Sequence, residues 1–252
     1  MAEAPGKTGA GATIEANVNV RGPFWLGSES GFPPPELADE NGLLAVGGGL
    51  SSRRLLDAYR SGIFPWPLGS SSMPMLWFSP DPRFLLFPEE LHVSRSLRAV
   101  LRSGRFQLRV DWAFEEVMRG CAAAPRPEQE GTWISPEMIA AYVELHRLGH
   151  AHSFESWEGE VLVGGVYGIA MGRAFFAESM FYDEPNASKV ALIGMVRTLG
   201  GRGYRFIDCQ QETAHLARFG ARAVARQEFL ERLTRALQEE GDFPPRGSVG
   251  AR

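Results

Sequence analysis

Turn-forming residues crowd the early part of this 252-residue chain and become sparse later. From Phe32 to Trp66 the sequence is dense in Pro, Gly, Asn and Ser, and it leaves room for one short helix capped by Ser51 or Ser52. The Pro-, Gly- and Ser-rich stretch that follows has the composition of a linker and indicates a domain boundary between residues 67 and 80. We therefore predict a small, irregular N-terminal domain over residues 23–79.

The remainder of the chain is more regular. Ser135 is placed to cap a helix that stops at Gly149. Three β-rich runs between His152 and Tyr182, separated by turn pairs, predict an antiparallel meander. A helix from Asn186, a short strand and two amphipathic stretches complete the pattern. We therefore predict an α+β domain over residues 80–244, with helices packed on a mixed, largely antiparallel sheet.

Composition excludes several classes of protein. Hydrophobic residues make up 44% and charged residues 22%, which is typical of a globular protein with a sizeable core. No run of about 18 apolar residues occurs, and the amino terminus lacks a signal-peptide pattern, so we expect a soluble cytoplasmic protein. Residues 1–22 and 245–252 have no apolar period and are predicted to be disordered tails. Two cysteines, Cys121 and Cys209, are expected to be free thiols.

One segment departs from the overall charge of −4. Between Val93 and Arg109 there are five arginines and no acidic residue. Three of the arginines are spaced three and four apart on one face of a predicted helix: Arg95, Arg98 and Arg102. Arg105 and Arg109 are expected to continue this charge onto the next strand. A solvated charged face is the alternative, but such faces normally mix both signs, so the pattern favours phosphate binding.

Three polar residues are candidates for chemistry. Asp208 and Gln210 lie at i and i+2 near the end of a predicted strand, which would put both side chains on one face of the sheet. Such a pair can accept a proton from an attacking amine and orient a carbonyl group, although a simple strand-end turn is the alternative. Glu178 lies among apolar residues on a predicted central strand, so its carboxylate requires either a substrate cation or a structural ion pair.

Other motifs carry weaker signals. His146, His150 and His152 resemble a metal cluster, but Gly149 breaks the helix between them and no acidic or cysteine ligand has matching spacing, so we predict no metal. Asn186 is interpreted as a helix cap. The glycine-rich turn around residue 202 resembles a phosphate loop, yet a glycine after a helix is a common C-cap. Arg202 occupies a position where an acetyl-CoA loop requires a small residue.

Several long motifs, in order from Phe32 to Leu233, resemble the leucyl/phenylalanyl-tRNA protein transferases. They are NGLLAVGGGLSSRRLLDAYRSGIFPW, LWFSPDPR, LHVSRSLR, GTWISPEMIAAYVELHRLGHAHS, LVGGVYGIAMG, AESMFY, NASKVAL and IDCQ. The resemblance implies a second domain similar to the acetyltransferase superfamily, or GNAT-like, that takes aminoacyl-tRNA in place of acetyl-CoA. It also implies transfer of leucine or phenylalanine to the N-terminal Lys or Arg of a protein, which creates a degradation signal (an N-degron).

The resemblance also assigns site residues. It places a hydrophobic amino-acid pocket on Tyr59, Trp66, Trp133, Tyr142, Phe175 and Ile207, with Ser179 as a further substrate-binding residue, and a polar centre on Glu178, Asp208 and Gln210. Three departures from the family pattern are Ala177 for glycine, Val166 for methionine and Met195 for an aromatic residue. They bear on the pocket's shape and on its preference among Leu, Phe and Met.

The implied chemistry needs no cofactor, because an aminoacyl ester is already activated towards an amine. We expect Asp208 to accept the amine's proton, directly or through Gln210, and Glu178 to hold either the acceptor's cationic side chain or the substrate ammonium. Expected partners are aminoacyl-tRNA and acceptor proteins, with no membrane partner and a monomeric state. Two alternatives remain open, namely an acetyl-CoA-dependent N-acetyltransferase and an inert tRNA-binding module.

Overall fold

The computed structural model describes residues 21–67, 74–125 and 132–249. Within these ranges the chain forms seven α-helices and twelve β-strands in two sheets, a mixed α+β architecture. The smaller sheet has the strand order β1-β2-β4-β3, with β1 and β2 parallel and the other pairs antiparallel. Its strands are β1 (Phe24–Leu26), β2 (Leu43–Gly47), β3 (Phe64–Pro65) and β4 (Leu76–Phe78).

One helix accompanies the smaller sheet, as the sequence predicts. Helix α1 spans Ser52–Arg60, and the Ser51 hydroxyl caps it by accepting a hydrogen bond from the Arg54 amide. Leu55 and Tyr59, on its apolar side, are fully buried. The chain leaves the helix through Gly62, whose left-handed backbone and close contact with Phe229 both require glycine.

The larger sheet has eight strands in the order β11-β5-β10-β9-β8-β7-β6-β12. They are β5 (Arg83–Leu86), β6 (Gln107–Val110), β7 (Ala151–Glu158), β8 (Val161–Met171), β9 (Ala174–Tyr182), β10 (Phe206–Asp208), β11 (Arg222–Val224) and β12 (Gly247–Val249). Strands β7, β8 and β9 form the predicted antiparallel meander, and β9 and β10 are the sheet's parallel pair.

Six further helices pack on this sheet. They are α2 (Arg95–Ser103), α3 (Phe114–Ala123), α4 (Pro136–Arg147), α5 (Ala187–Gly201), α6 (Ala214–Ala217) and α7 (Arg226–Leu237). Gly104 ends α2 in a left-handed conformation. The predicted cap of α4 is present, since the Ser135 hydroxyl accepts a hydrogen bond from the Met138 amide. Helix α3 was not predicted, because its N-cap residue, Ala113, offers no capping side chain.

The core divides into two main apolar clusters on opposite faces of the larger sheet. Alternate residues of β8 show the division, since Tyr167 and Ile169 face one cluster while Val166 and Ala170 face the other. The first cluster contains helix α1 and the smaller sheet as well as α3, α4 and α7. In the sequence, the smaller sheet ends with β4 and the larger sheet begins with β5, near the predicted domain boundary. Residues of both sheets nevertheless pack in this first cluster.

The ends of the chain differ from the prediction in one respect. Residues 247–249 form strand β12, which pairs with β6, so the predicted disordered tail over 245–252 is wrong there. Nearly all of the predicted N-terminal tail, residues 1–20, lies outside the described residues, as does the linker segment 68–73. Among the residues that the structure describes, no helix is long and apolar enough to cross a membrane.

Candidate active site

A β-bulge in the middle of β9 positions the central carboxylate. Gly168 of β8 faces Ala177, and the preceding Tyr167 faces Ser179, so Glu178 is the extra residue on the bulged strand. A bulge re-aims its side chain and locally twists the strand. A Cβ atom at Gly168 would lie 2.1 Å from the Phe176 carbonyl oxygen, so glycine is needed opposite the bulge.

The Glu178 carboxylate lies in a polar chain that joins three parts of the fold. Gln210 donates its Nε2 to Glu178 Oε1 at 2.8 Å, and the Tyr142 hydroxyl donates to Oε2 at 3.3 Å. The hydroxyl of Tyr142 is in turn hydrogen-bonded to that of Tyr59. Tyr59 comes from α1, Tyr142 from α4 and Gln210 from the turn after β10. Within the described part of the chain, no basic side chain pairs with Glu178, so the alternative of a structural ion pair is not observed there.

This environment changes the acidity of the site. Burial raises the pKa of Glu178 to about 8, and the negative charge of Asp208 adds to the rise, while the Tyr59 and Tyr142 hydroxyls and the Arg83 charge oppose it. Burial and the Glu178 charge also raise the pKa values of both tyrosines well above 10. The two hydroxyls therefore remain protonated, and Glu178 is easily neutralised near physiological pH.

Asp208 is held in a different way. Its carboxylate is fully buried and receives two hydrogen bonds from Arg83, from Nε at 2.8 Å and from Nη2 at 2.6 Å. The Arg83 guanidinium also donates to the Gly62 carbonyl oxygen, and it lies over the rings of Phe64 and Phe229 at 4.8 and 4.5 Å from their centroids. The protein therefore neutralises Asp208 itself.

The predicted geometry of Asp208 and Gln210 is wrong in one respect. Strand β10 ends at Asp208, and Gln210 has a left-handed backbone with φ of 64°, so strand periodicity does not place the two side chains together. The link between them is instead local, because the Gln210 amide donates to Asp208 Oδ1 at 2.8 Å. The Gln210 side chain then points to Glu178.

The residues of the predicted amino-acid pocket fall into two groups. Tyr59 and Tyr142 are buried on the Glu178 side of the sheet, where the partly exposed rings of Trp66 and Trp133 stack with centroids 5.9 Å apart. Phe175 and Ile207 belong to the cluster on the opposite face. That cluster also contains two of the departures from the family pattern, Val166 and Met195, whereas Ser179 is partly buried beside Glu178.

The predicted basic surface is smaller than expected. Arg95, Arg98 and Arg102 are exposed on α2, and they form no ion pair with any residue that the structure describes. Arg105, however, is bound by Glu158 and Glu184, and Arg109 is largely buried beside Glu160. The expectation that these two arginines extend the basic face is therefore wrong, because acidic residues distant in sequence neutralise them.

Two of the three histidines do approach a carboxylate, although sequence spacing gave no sign of it. Ligand atoms of Asp111, His146 and His152 lie within 4.8 Å of one another, because the residue after β6 meets the start of β7. These groups are already engaged in protein hydrogen bonds: His152 Nδ1 bonds to Asp111 at 2.7 Å, and His146 Nδ1 bonds to the Ala151 carbonyl oxygen at 2.8 Å. This arrangement is that of a packed polar cluster.

Sequence reasoning missed Arg83. The available signal was a single arginine at the start of a strand whose other residues are Phe84, Leu85 and Leu86, all buried. A charged residue in such a strand requires a buried partner of opposite charge. Asp208, on the neighbouring strand β10, is that partner.

The arrangement suits the transfer of an acyl group to an amine. A carboxylate with a raised pKa, beside an amide and two hydroxyl groups, can hold a cation or take part in proton transfer from an amine. These features define a candidate aminoacyl- or acyl-transfer site rather than a metal or redox centre, since the groups that meet at Glu178 are proton carriers and hydrogen-bond donors.

Comparisons with known proteins identify the family. A family model described as leucyl/phenylalanyl-tRNA protein transferase matches residues 85–234, and the model of that family's N-terminal domain matches residues 48–81. The chain is 60% identical to a leucyl/phenylalanyl-tRNA–protein transferase of Anaeromyxobacter sp. (strain Fw109-5), over 85% of this chain and 90% of the relative. It is 55% identical to that of Solidesulfovibrio magneticus, over 86% and 87% of the two chains.

The chain belongs to the leucyl/phenylalanyl-tRNA protein transferase family and is an aminoacyltransferase. A solved structure of L-PGS from Bacillus licheniformis is also similar, with 14% identity and a TM-score of 0.34, covering 78% of this chain and 63% of that one. A TM-score this low does not define a common fold.

Proposed function

We propose that this chain moves leucine or phenylalanine from aminoacyl-tRNA to the N-terminal Lys or Arg of acceptor proteins, and that the product is a degradation signal. Family membership supports the reaction. The observation that carries the acceptor specificity is Glu178, a carboxylate bound by hydroxyl and amide groups in a densely packed site, with which no basic side chain of the described residues forms an ion pair. An acceptor with a cationic side chain supplies the missing charge.

The reaction balances without an outside reagent. The acceptor's α-ammonium loses one proton, and its nitrogen lone pair attacks the carbonyl carbon of the aminoacyl ester. A C–N bond forms and the C–O bond to the terminal ribose breaks. The attacking nitrogen gives up a second proton as it becomes an amide nitrogen, the ribose oxygen takes up one proton, and the other proton is released to solvent. Because the ester is already activated, positioning of the two substrates supplies most of the rate, and the chemistry requires no cofactor.

The polar residues divide this work. Glu178 holds the acceptor's cation, and its pKa falls towards the ordinary range when that cation arrives. Gln210 orients the reacting groups, since its side chain bridges to Glu178 and its amide is fixed by Asp208. Of the two routes by which Asp208 can take part, the one through Gln210 agrees with the burial of Asp208 and its pairing with Arg83.

The second domain is proposed to be GNAT-like, with an aminoacyl-tRNA in place of acetyl-CoA, and the protein to act as a monomer. The parallel pairing of β9 with β10 supports the GNAT-like assignment. The two strands pair only as far as Phe176 and Asp208, and β9 then continues to Tyr182 beyond the end of β10. The two substrates are proposed to meet there, next to Glu178.

A comparison of arginine with citrulline tests the role of Glu178. The two side chains have nearly the same shape, but citrulline has no charge. The wild-type protein should transfer leucine to an Arg-started peptide about 10 to 100 times more efficiently than to a citrulline-started one. Glu178→Gln should abolish most of this preference by lowering transfer to the Arg peptide alone.

An equal loss of transfer to both peptides would contradict the assignment. It would indicate that Glu178 binds the ammonium group of the aminoacyl donor instead. The same assay separates the alternative functions when acetyl-CoA is offered as a second donor. Acetylation would indicate an N-acetyltransferase, and binding of charged tRNA without transfer would indicate an inert binding module.

The exposed arginines of α2 are proposed to bind the tRNA backbone. Replacement of Arg95, Arg98 and Arg102 together by Gln should weaken the binding of every tRNA alike. For each phosphate that the protein no longer binds, the slope of log affinity against log salt should fall by about 0.7 to 0.9, and we expect two or three such phosphates. An unchanged slope, from tRNA titrations at several salt concentrations, would show that these arginines form only a solvated face.

A further inference from the structure

A cavity of about 180 Å³ lies between the N-terminal ends of α2 and α5 and the short helix α6. Four ionisable side chains line it, and all four are basic: His92, Lys189, His215 and Arg218. No carboxylate is among the lining residues that the structure describes. The cavity is separate from the Glu178 site, and none of the assignments above uses it.

The positive charge of this cavity is not balanced by the protein. Lys189 donates from Nζ to the Asn186 side-chain oxygen at 3.2 Å, and neither Lys189 nor Arg218 forms an ion pair with a carboxylate in the described ranges. Other arginines of the same domain are paired, such as Arg222 with Glu90. The cavity therefore keeps a local excess of positive charge in a chain whose net charge is −4.

Two helix ends add to this charge. Helix α2 has 9 residues and α5 has 15, and the N-terminal end of each carries a partial positive charge. Ser94 caps α2, but Asn186, at the N-cap position of α5, has a left-handed backbone and makes no side-chain hydrogen bond to the helix. Asn186 therefore occupies the predicted N-cap position, but its side-chain oxygen accepts a hydrogen bond from Lys189 instead of capping the helix.

A buried histidine nitrogen gives an independent indication of a missing ligand. His215 Nε2 is buried and has no hydrogen-bond partner among the residues described. Burial lowers the pKa of His215, and the charges of Lys189 and Arg218 lower it further. A bound anion would accept a hydrogen bond from this nitrogen and would relieve the repulsion among the three basic groups.

We infer that this cavity binds one phosphate of the tRNA backbone through Lys189, His215 and Arg218. The inference rests on the proposed function and deepens it. Its position supports RNA as the source of the phosphate, because Ser94 and Ser96 of the cavity flank Arg95, the first of the exposed arginines on α2. A nucleic-acid strand that follows those arginines reaches the cavity at the N-terminal end of the helix. The cavity thus fixes one phosphate, while the arginine face attracts the strand.

Steady-state transfer with two donors tests the inference. Lys189→Gln should lower kcat/KM for aminoacyl-tRNA about 3- to 10-fold relative to aminoacyl-adenosine, a donor without backbone phosphates. The salt slope of tRNA binding should fall by about 0.7 to 0.9, as expected for a single phosphate. Arg235→Gln is the matched control, since it removes one exposed positive charge from α7 on another surface, and it should change neither quantity.

An unchanged donor ratio and salt slope in Lys189→Gln would overturn the inference while leaving the proposed function intact. Failure of the wild-type protein to use either donor would instead refute the proposed function. The two failures are therefore distinguishable.

The histidine provides a readout that does not depend on catalysis. Titration of the His215 ring by NMR should show its pKa rising when inorganic phosphate is added, and His215→Gln should weaken phosphate binding. Phosphate should also compete with uncharged tRNA. Phosphate binding without competition would show a site for a free anion and would overturn the assignment to RNA, and no binding of either ligand would overturn the site itself.

Discussion

Two carboxylates on neighbouring parallel strands differ in their binding partners: one is ion-paired, and the other is bound by neutral donors. Asp208, at the end of β10, is fully buried, and both of its oxygens are bound by Arg83. Glu178, at the bulge of β9, is bound by hydroxyl and amide groups, and burial raises its pKa to about 8. The first carboxylate is neutralised by the protein, whereas the second forms no ion pair with any basic side chain that the structure describes.

The difference shows which carboxylate is already paired by the protein and which is available to a ligand. A buried ion pair with good geometry satisfies both partners, but it leaves little capacity to bind anything else. A carboxylate held only by neutral donors keeps a strong preference for an incoming cation. Gln210 connects the two, since its backbone contacts Asp208 and its side chain contacts Glu178.

The largest expected effect comes from removing the cation beside Asp208. Arg83→Met should destabilise the protein by roughly 3 to 5 kcal/mol, because it leaves a buried carboxylate without a partner. Urea unfolding followed by circular dichroism measures this change. Arg222→Met is the matched control, as it breaks an exposed pair with Glu90, and it should cost less than about 1 kcal/mol.

A double variant sharpens the result. Arg83→Met combined with Asp208→Asn should be more stable than Arg83→Met alone, since no unpaired charge remains. If the two substitutions change the free energy of unfolding additively, Asp208 and Arg83 do not act as a pair. Asp208 and Glu178 would then not differ in whether the protein neutralises them.

The next effect concerns catalysis. Asp208→Asn should lower single-turnover transfer by at least about 100-fold, the usual scale for loss of acid–base assistance, while tRNA affinity is retained. Because the substitution leaves Arg83 with a neutral partner, its folding must be checked by unfolding in the same buffer. Near-normal transfer by a folded variant would make Asp208 a structural residue only, and Glu178 would remain as the acidic residue of the site.

The aromatic residues extend the comparison to the two faces of the sheet. Trp133 stacks on Trp66 on the Glu178 side, and Trp133→Ala should lower kcat/KM for leucine and phenylalanine transfer by about tenfold without weakening the binding of uncharged tRNA. Phe175 is fully buried on the opposite face, so Phe175→Ala should also reduce stability by about 3 to 5 kcal/mol. If both variants bind uncharged tRNA less tightly, these aromatic residues are core and the pocket assignment is wrong.

Much of the fold follows from local patterns. The caps at Ser51 and Ser135, and the meander of β7 to β9, depend on residues close in sequence, and all three predictions are confirmed. Helix α3 lacks such a signal, because Ala113 cannot cap it. Strand β12 was missed because its single partner is β6, more than a hundred residues earlier in the chain.

The site was harder to predict, for a physical reason. Glu178 and Gln210 could be selected as polar residues in apolar surroundings, but the bulge that aims Glu178 depends on pairing with β8. The pairing of Arg83 with Asp208 likewise joins residues 125 positions apart. The sequence shows which residues carry a charge, but contacts between residues distant in the chain determine which of those charges are neutralised. Arg105 and Arg109 are further examples, because glutamates distant in sequence pair with them.

The last effect we predict is a pH dependence of stability that belongs to Glu178. Its pKa is raised from an ordinary value of 4.5 to about 8 in the folded protein, so the folded state binds more protons than the unfolded state between these values. The free energy of unfolding should therefore fall as the pH rises from about 5 to 8, and the loss should be complete above the folded pKa.

Urea unfolding of wild type and Glu178→Gln at several pH values isolates this contribution, since the other titrating groups are common to both proteins. Glu178→Gln should remove the slope and gain stability relative to wild type above pH 8, because glutamine carries no charge to be buried. Stability is a better readout here than transfer rate, since the acceptor's α-amine also titrates near pH 8 and would dominate a rate profile. Identical pH slopes in the two proteins would mean that Glu178 is ionised in the free protein. The site would then already contain a positive charge, and the difference between the two carboxylates would have to be explained by solvent access.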